Sequence, residues 1–154
     1  MERSVLNTAS TREIRSPQPL PARFQEVFQQ LRHDTLDLLD EVYAADVVFQ
    51  DPLHRVEGLV ALRDYFARMY EGVESIRFEF DTVLQAPGEA MLAWTMHMRH
   101  RRLRPGQELA LPGASHIRFG TQVHYHRDYF DAGAMLYERL PLLGGVVRAI
   151  RRRV

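Results

Sequence analysis

Asp46-Val-Val-Phe-Gln-Asp-Pro52 decides how the chain reads. Val47, Val48 and Phe49 predict a strand, and Pro52, with no N–H for a ladder, ends it. Asp51 therefore sits at a strand end, on backbone held by the sheet, where its head can face a cavity and act as a general base. Asp is equally a turn former, because its side chain hydrogen-bonds nearby backbone amides. Both readings stand at this point. Gly58 follows, then an amphipathic helix over residues 59–70 with Leu62, Phe66 and Met69 on one stripe.

Outward from this stretch the pattern is helical before it and extended after it. Phe24, Val27, Phe28 and Leu31 recur at helical spacing and predict a first helix over 22–33. Asp34 or Thr35 can cap a second, short helix over 36–43. From 75 to 130 the chain reads as sheet: an alternating strand at 76–83, a turn at 86–88, a long strand at 91–102 and a turn at 104–106. A strand over 109–119 follows, interrupted by Pro112-Gly113, and Gly120-Thr121 makes a hairpin into the last strand, 123–130. Helices followed by an antiparallel meander predict an α+β fold.

The 154 residues suit one folded unit, 22–140, between a flexible N-terminal arm, 1–21, and a helical basic tail, 141–154. In the tail Leu142, Leu143, Val146, Val147 and Ile150 offer an apolar face that packs on protein rather than membrane, ahead of Arg151, Arg152 and Arg153. The chain has no cysteine, which excludes disulfides and thiolate chemistry. All 20 basic residues are arginine, which excludes a lysine Schiff base. A net charge of zero offers no global attraction for nucleic acid, and the run Arg99, Arg101, Arg102 and Arg104 has no interleaved stacking aromatics. No apolar run approaches the roughly 20 residues of a membrane span, and without an export signal a cytoplasmic location is expected.

Four stretches, taken in order, resemble the cone-shaped superfamily of nuclear transport factor 2, ketosteroid isomerase and SnoaL-like polyketide cyclases. They are Tyr43 to Pro52, Gly58 with its helix, Glu89 to Met98, and Ser115 to Gly120 with the strand after it. The resemblance covers about residues 22–137. It implies a curved antiparallel sheet with about three N-terminal helices enclosing a pocket, plus a short C-terminal helix, and a homodimer through the outer sheet face. It implies that Asp51 matches the isomerase proton carrier. The isomerase's oxyanion-hole aspartate matches Ser115, and its tyrosine donor on the first helix is replaced by Val27 or Phe28. Steroid isomerisation in its standard form is therefore not expected, and no organic cofactor is implied.

Strand alternation sorts the remaining candidates. Leu92, Trp94, Met96 and Met98 share one face and should line the pocket or fill it as core. On the last strand the family register turns His124, His126, Asp128 and Phe130 inward; a slip by one would turn in Tyr125, Arg127 and Tyr129 instead. These residues support three readings. In the first, an enzyme acts on a small apolar, cyclic or polyketide- or steroid-like molecule by isomerisation, cyclisation or hydration. Asp51, His126 and Asp128 are its acid–base groups, and His54, Trp94, Met96, Met98, Ser115, His124 and Phe130 contact the substrate. In the second, the same pocket is a non-catalytic ligand- or partner-binding module. In the third, His124, His126 and Asp128 bind a metal on one strand face. His33, His97, His100 and His116 are expected at the surface or between strands.

Overall fold

The computed structural model describes residues 18–103, 105–136 and 152. Most of the N-terminal arm, Arg104 and nearly all of the tail lie outside the described residues.

Helix α1, Leu20–Gln30, carries Pro21 in its first turn, where a missing N–H costs nothing. It buries Phe24, Val27 and Phe28, with Leu31 buried just beyond its end. The second helix is shorter than expected, a 3-10 helix over Leu36–Glu41. Thr35 precedes it but caps the other way: its hydroxyl donates to the Gln30 carbonyl at 3.0 Å and closes the end of α1. Strand β1, Tyr43–Gln50, begins earlier than the apolar run suggests and ends where Pro52 requires. A short strand β2, Arg55–Glu57, folds back on it. Gly58 then adopts φ 87°, a left-handed conformation that favours glycine, and starts helix α2, Leu59–Tyr70.

Strands β3 (Val73–Ala86), β4 (Glu89–His100), β5 (Leu109–Phe119) and β6 (Val123–Phe130) form the meander. A short helix α3, Ala132–Leu136, follows. The sheet order is β2-β1-β6-β5-β4-β3. Every pairing is antiparallel except β1 with β6, which run parallel and bring the Asp51 end of β1 beside the Asp128 end of β6. Irregularities in β3 after Val73 and Phe80 add to the curvature. The result is the α+β cone: α1, the 3-10 helix and α2 lie against one side of a curved, open sheet, and the core lies between.

Two expectations are corrected here. Pro112-Gly113 does not interrupt β5, which runs unbroken; Pro112 lies just past the last β5–β6 pair, Gly113 with Phe130, where a lost donor is tolerated. His124 does not face inward but is exposed. Phe119 pairs with Val123 and Arg118 with Tyr125, so His124 is the extra residue of a bulge. A bulge breaks strict alternation, and so Val123 and His126 can both be fully buried three positions apart. Among the described residues no helix is long and apolar enough to cross a membrane.

Candidate functional site

The cone encloses a cavity of about 200 Å³ whose walls are almost entirely apolar, drawn from α1, α2 and the inner sheet face. Trp94, Met96, Met98 and Phe130 line it as expected, with Phe78 beside them on β3 and Phe28 contributed by α1. Its polar lining is small: Asp51, Ser115 and Asp128, with Tyr70 and His100 as well. His100 was expected at the surface or in a strand pair; its Nε2 lies 3.0 Å from the Glu71 carbonyl, which fixes the ring.

Asp51 is 6% exposed and is both turn former and cavity wall. One oxygen, Oδ1, accepts the backbone N–H groups of Leu53 at 2.7 Å and His54 at 2.8 Å. The other, Oδ2, accepts the Tyr65 hydroxyl. Proline and strand end thus present the carboxylate, and the turn and α2 engage both its oxygens. Burial, then the hydrogen bond to Asp51 and the charges of Asp51 and Asp128, hold the Tyr65 phenol protonated far above its usual range. His54 was expected to contact substrate. It is exposed instead, its ring 5.3 Å from that of Tyr65 on the outer side, and it does not line the cavity.

Asp128 stands at the head of a second network. Gln50 pairs with Arg127, so the next residues, Asp51 and Asp128, fall side by side on neighbouring strands. Asp128 Oδ1 accepts the Ser115 hydroxyl at 2.5 Å and lies 2.7 Å from His126 Nε2. Ser115 in turn accepts the Trp94 indole N–H at 2.9 Å. Behind, the Tyr43 hydroxyl lies 2.6 Å from His126 Nδ1. Burial, then the charge of Asp128, hold the Tyr43 phenol protonated. Its only acceptor among the described residues is Nδ1, which assigns the imidazole N–H to Nε2, pointing at Asp128. The chains Tyr43–His126–Asp128 and Trp94–Ser115–Asp128 therefore both end on one carboxylate oxygen, Oδ1, which takes the Ser115 and His126 protons. The other, Oδ2, has no hydrogen-bond partner among the described residues, on a side chain that lines the cavity.

His126 is fully buried, edge-on to Phe24, Phe28 and Phe49 at 5.0–5.9 Å between ring centres. No hydrogen bond joins it to Asp51 among the described residues, so the expected acid–base set divides into two separately held carboxylates. With His124 turned out, His126 and Asp128 do not form a three-ligand strand face, and among the described residues no cluster of three or more metal-ligating side chains assembles. Two residues escaped the sequence reading. Tyr65 could have been found, since it stands at i+3 from Leu62 on the buried stripe of α2; Tyr43 could not, because its partner is 83 positions away.

A family model described as a SnoaL-like domain matches residues 23–122. The chain belongs to the SnoaL-like family. No curated protein matches it by sequence. Solved structures share the SnoaL-like fold at low identity. A ketosteroid isomerase-like protein of Catenulispora acidiphila DSM 44928, in complex with trimethylamine, matches with a TM-score of 0.66 and 14% identity, over 79% of this chain and 92% of that one. A Shewanella denitrificans OS-217 protein, provisionally classed as a SnoaL-like polyketide cyclase, matches at 0.65 and 19%, over 77% and 95%. An LEH-like epoxide hydrolase of M. tuberculosis matches at 0.62 and 17%, over 84% and 93%. At these identities the likeness is one of fold.

Proposed function

We propose that this SnoaL-like domain binds a compact, apolar, cyclic molecule and moves a proton on it, with Asp128 as the proton carrier. The observation that carries this is Asp128, a carboxylate on the wall of a largely apolar cavity: Ser115 and His126 hold its Oδ1, and its Oδ2 has no hydrogen-bond partner among the described residues. Water is a poor competitor in such a site, so a carboxylate there acts on the ligand. Asp51, matched by resemblance to the isomerase base, has both oxygens engaged by donors of its own turn and of α2 and serves here to shape the turn and the wall. The reaction class is isomerisation, cyclisation or hydration. Cyclase and epoxide hydrolase assignments on the same fold support it, as does the capture of a small organic molecule by another neighbour.

The test needs no knowledge of the natural substrate. In deuterated water with 2-tetralone, an enolisable bicyclic ketone, the protein should speed deuterium uptake beside the carbonyl, followed by proton NMR. Asp128→Asn should lower that rate about 100-fold or more. Binding without uptake makes the domain a non-catalytic binding module; uptake that survives Asp128→Asn removes Asp128 from the chemistry. A homodimer belongs to the same proposal. Across β4 and β5 the outer face aligns Ala93 with Ala114 and Thr95 with Pro112, short side chains against which a second copy can lie flat.

A further inference from the structure

Gly113 is where the strand was expected to break, and where it does not. It pairs with Trp94 on one side and Phe130 on the other, in a single row across the inner face of β4, β5 and β6. A Cβ built on Gly113 would come within 2.3 Å of indole Cη2, 2.6 Å of Cζ3 and 2.7 Å of Cζ2. Real atoms do not approach so closely. The six-membered ring of the chain's single tryptophan therefore occupies the place of a side chain at 113. The indole is held there by its N–H on Ser115 at 2.9 Å and by the edge of Phe78, 5.4 Å away at 82°. Any side chain at 113 would lift the ring off β5 and into the cavity.

We infer that the Trp94–Gly113 pair determines the size of the ligand, and that the ligand has one ring or two fused rings rather than four. The inference rests on the reading that the cone is a small-molecule site. An apolar cavity of about 150 Å³ takes one benzene ring; this one, at about 200 Å³, adds room for a second ring or substituents. Gly113 keeps that room open by letting the indole lie flat. Trp94 limits it, and because the same indole holds Ser115, ligand size and the seating of Asp128 are coupled.

Titration calorimetry with 2-tetralone and with a tetracyclic steroid ketone tests this. The native chain should bind the bicyclic ketone and exclude the steroid. Gly113→Ala should weaken 2-tetralone binding about tenfold or more, as overpacking does. Trp94→Phe should admit the steroid, and the double variant should recover 2-tetralone binding. Where Gly113→Ala alone fails to fold, Trp94→Phe and the double variant decide the matter. Equal binding of both ketones by the native chain, a Gly113→Ala variant that binds like the native chain, or a Trp94→Phe variant that still excludes the steroid each overturns the size rule. Binding of neither ketone overturns the size rule and the small-molecule reading together. The expected size pattern without deuterium uptake overturns only the acid–base reading, and uptake without size discrimination only the size rule.

Discussion

Asp51 and Asp128 are the same residue type on adjacent strands, and their surroundings divide their roles. Asp51 has both oxygens engaged by Leu53, His54 and Tyr65, whereas Asp128 has one oxygen without a hydrogen-bond partner among the described residues. Asp51→Asn should thus act mainly on stability, and Asp128→Asn mainly on turnover. Tyr65→Phe should cost about 1–3 kcal/mol in urea unfolding, because it leaves a buried carboxylate oxygen without its donor. The tyrosines also set a pH limit. Burial is the first cause that holds the phenols of Tyr43, Tyr65 and Tyr70 above the ordinary value of 10.0. A group raised on folding stabilises fully below its unfolded pKa and loses that contribution as pH rises past it. Stability should therefore hold up to about pH 10 and fall above it. Phenolate absorbance from these residues should rise together with loss of circular dichroism; phenolate appearing ahead of unfolding would remove this account. In the sequence, Asp51 was legible from its strand end and Asp128 from the register that the family resemblance implies. Which of them keeps an oxygen without a partner among the described residues was not, since that depends on partners from distant elements.

At the level of elements, the hydrophobic period placed α1, α2 and the meander, because each has an apolar face that must be buried. It failed where one residue departs from the period. His124 is an extra residue in β6, and no alternation rule marks a bulge in advance. Thr35 could cap on either side, and the geometry of the α1 end decided it. Gly58 is fixed by its φ of 87° at the start of α2. Gly58→Ala should cost about 1–3 kcal/mol by thermal or urea unfolding, because at φ 87° and ψ 146° a Cβ is strongly disfavoured. An unchanged midpoint would show that the β2–α2 junction can relax into another conformation.

For the whole molecule the decisive event is the parallel pairing of β1 with β6, which joins the first strand to the last and seats Asp51 beside Asp128. Phe49 lies under this junction, 1% exposed and packed on Tyr65, Phe66 and His126. Phe49→Ala should cost about 3–5 kcal/mol in urea unfolding. Sedimentation velocity should report a particle of twice the chain mass, and Ala93→Arg on the outer face should return it to the monomer. A native chain that sediments as a monomer would end that proposal. The amino-acid sequence by itself determined the α+β class, the order of α1, α2 and the meander strands, the inward face of β4 and the exclusion of thiol and lysine chemistry. Those follow from local period, turn residues and composition. Only the tertiary structure decided that His124 is outside, that both oxygens of Asp51 but, among the described residues, only one of Asp128 are engaged, and that Gly113 makes room for Trp94. Each of these depends on atoms brought together across strands, and a hydrogen bond or a close approach between distant positions leaves no mark on the local pattern of either.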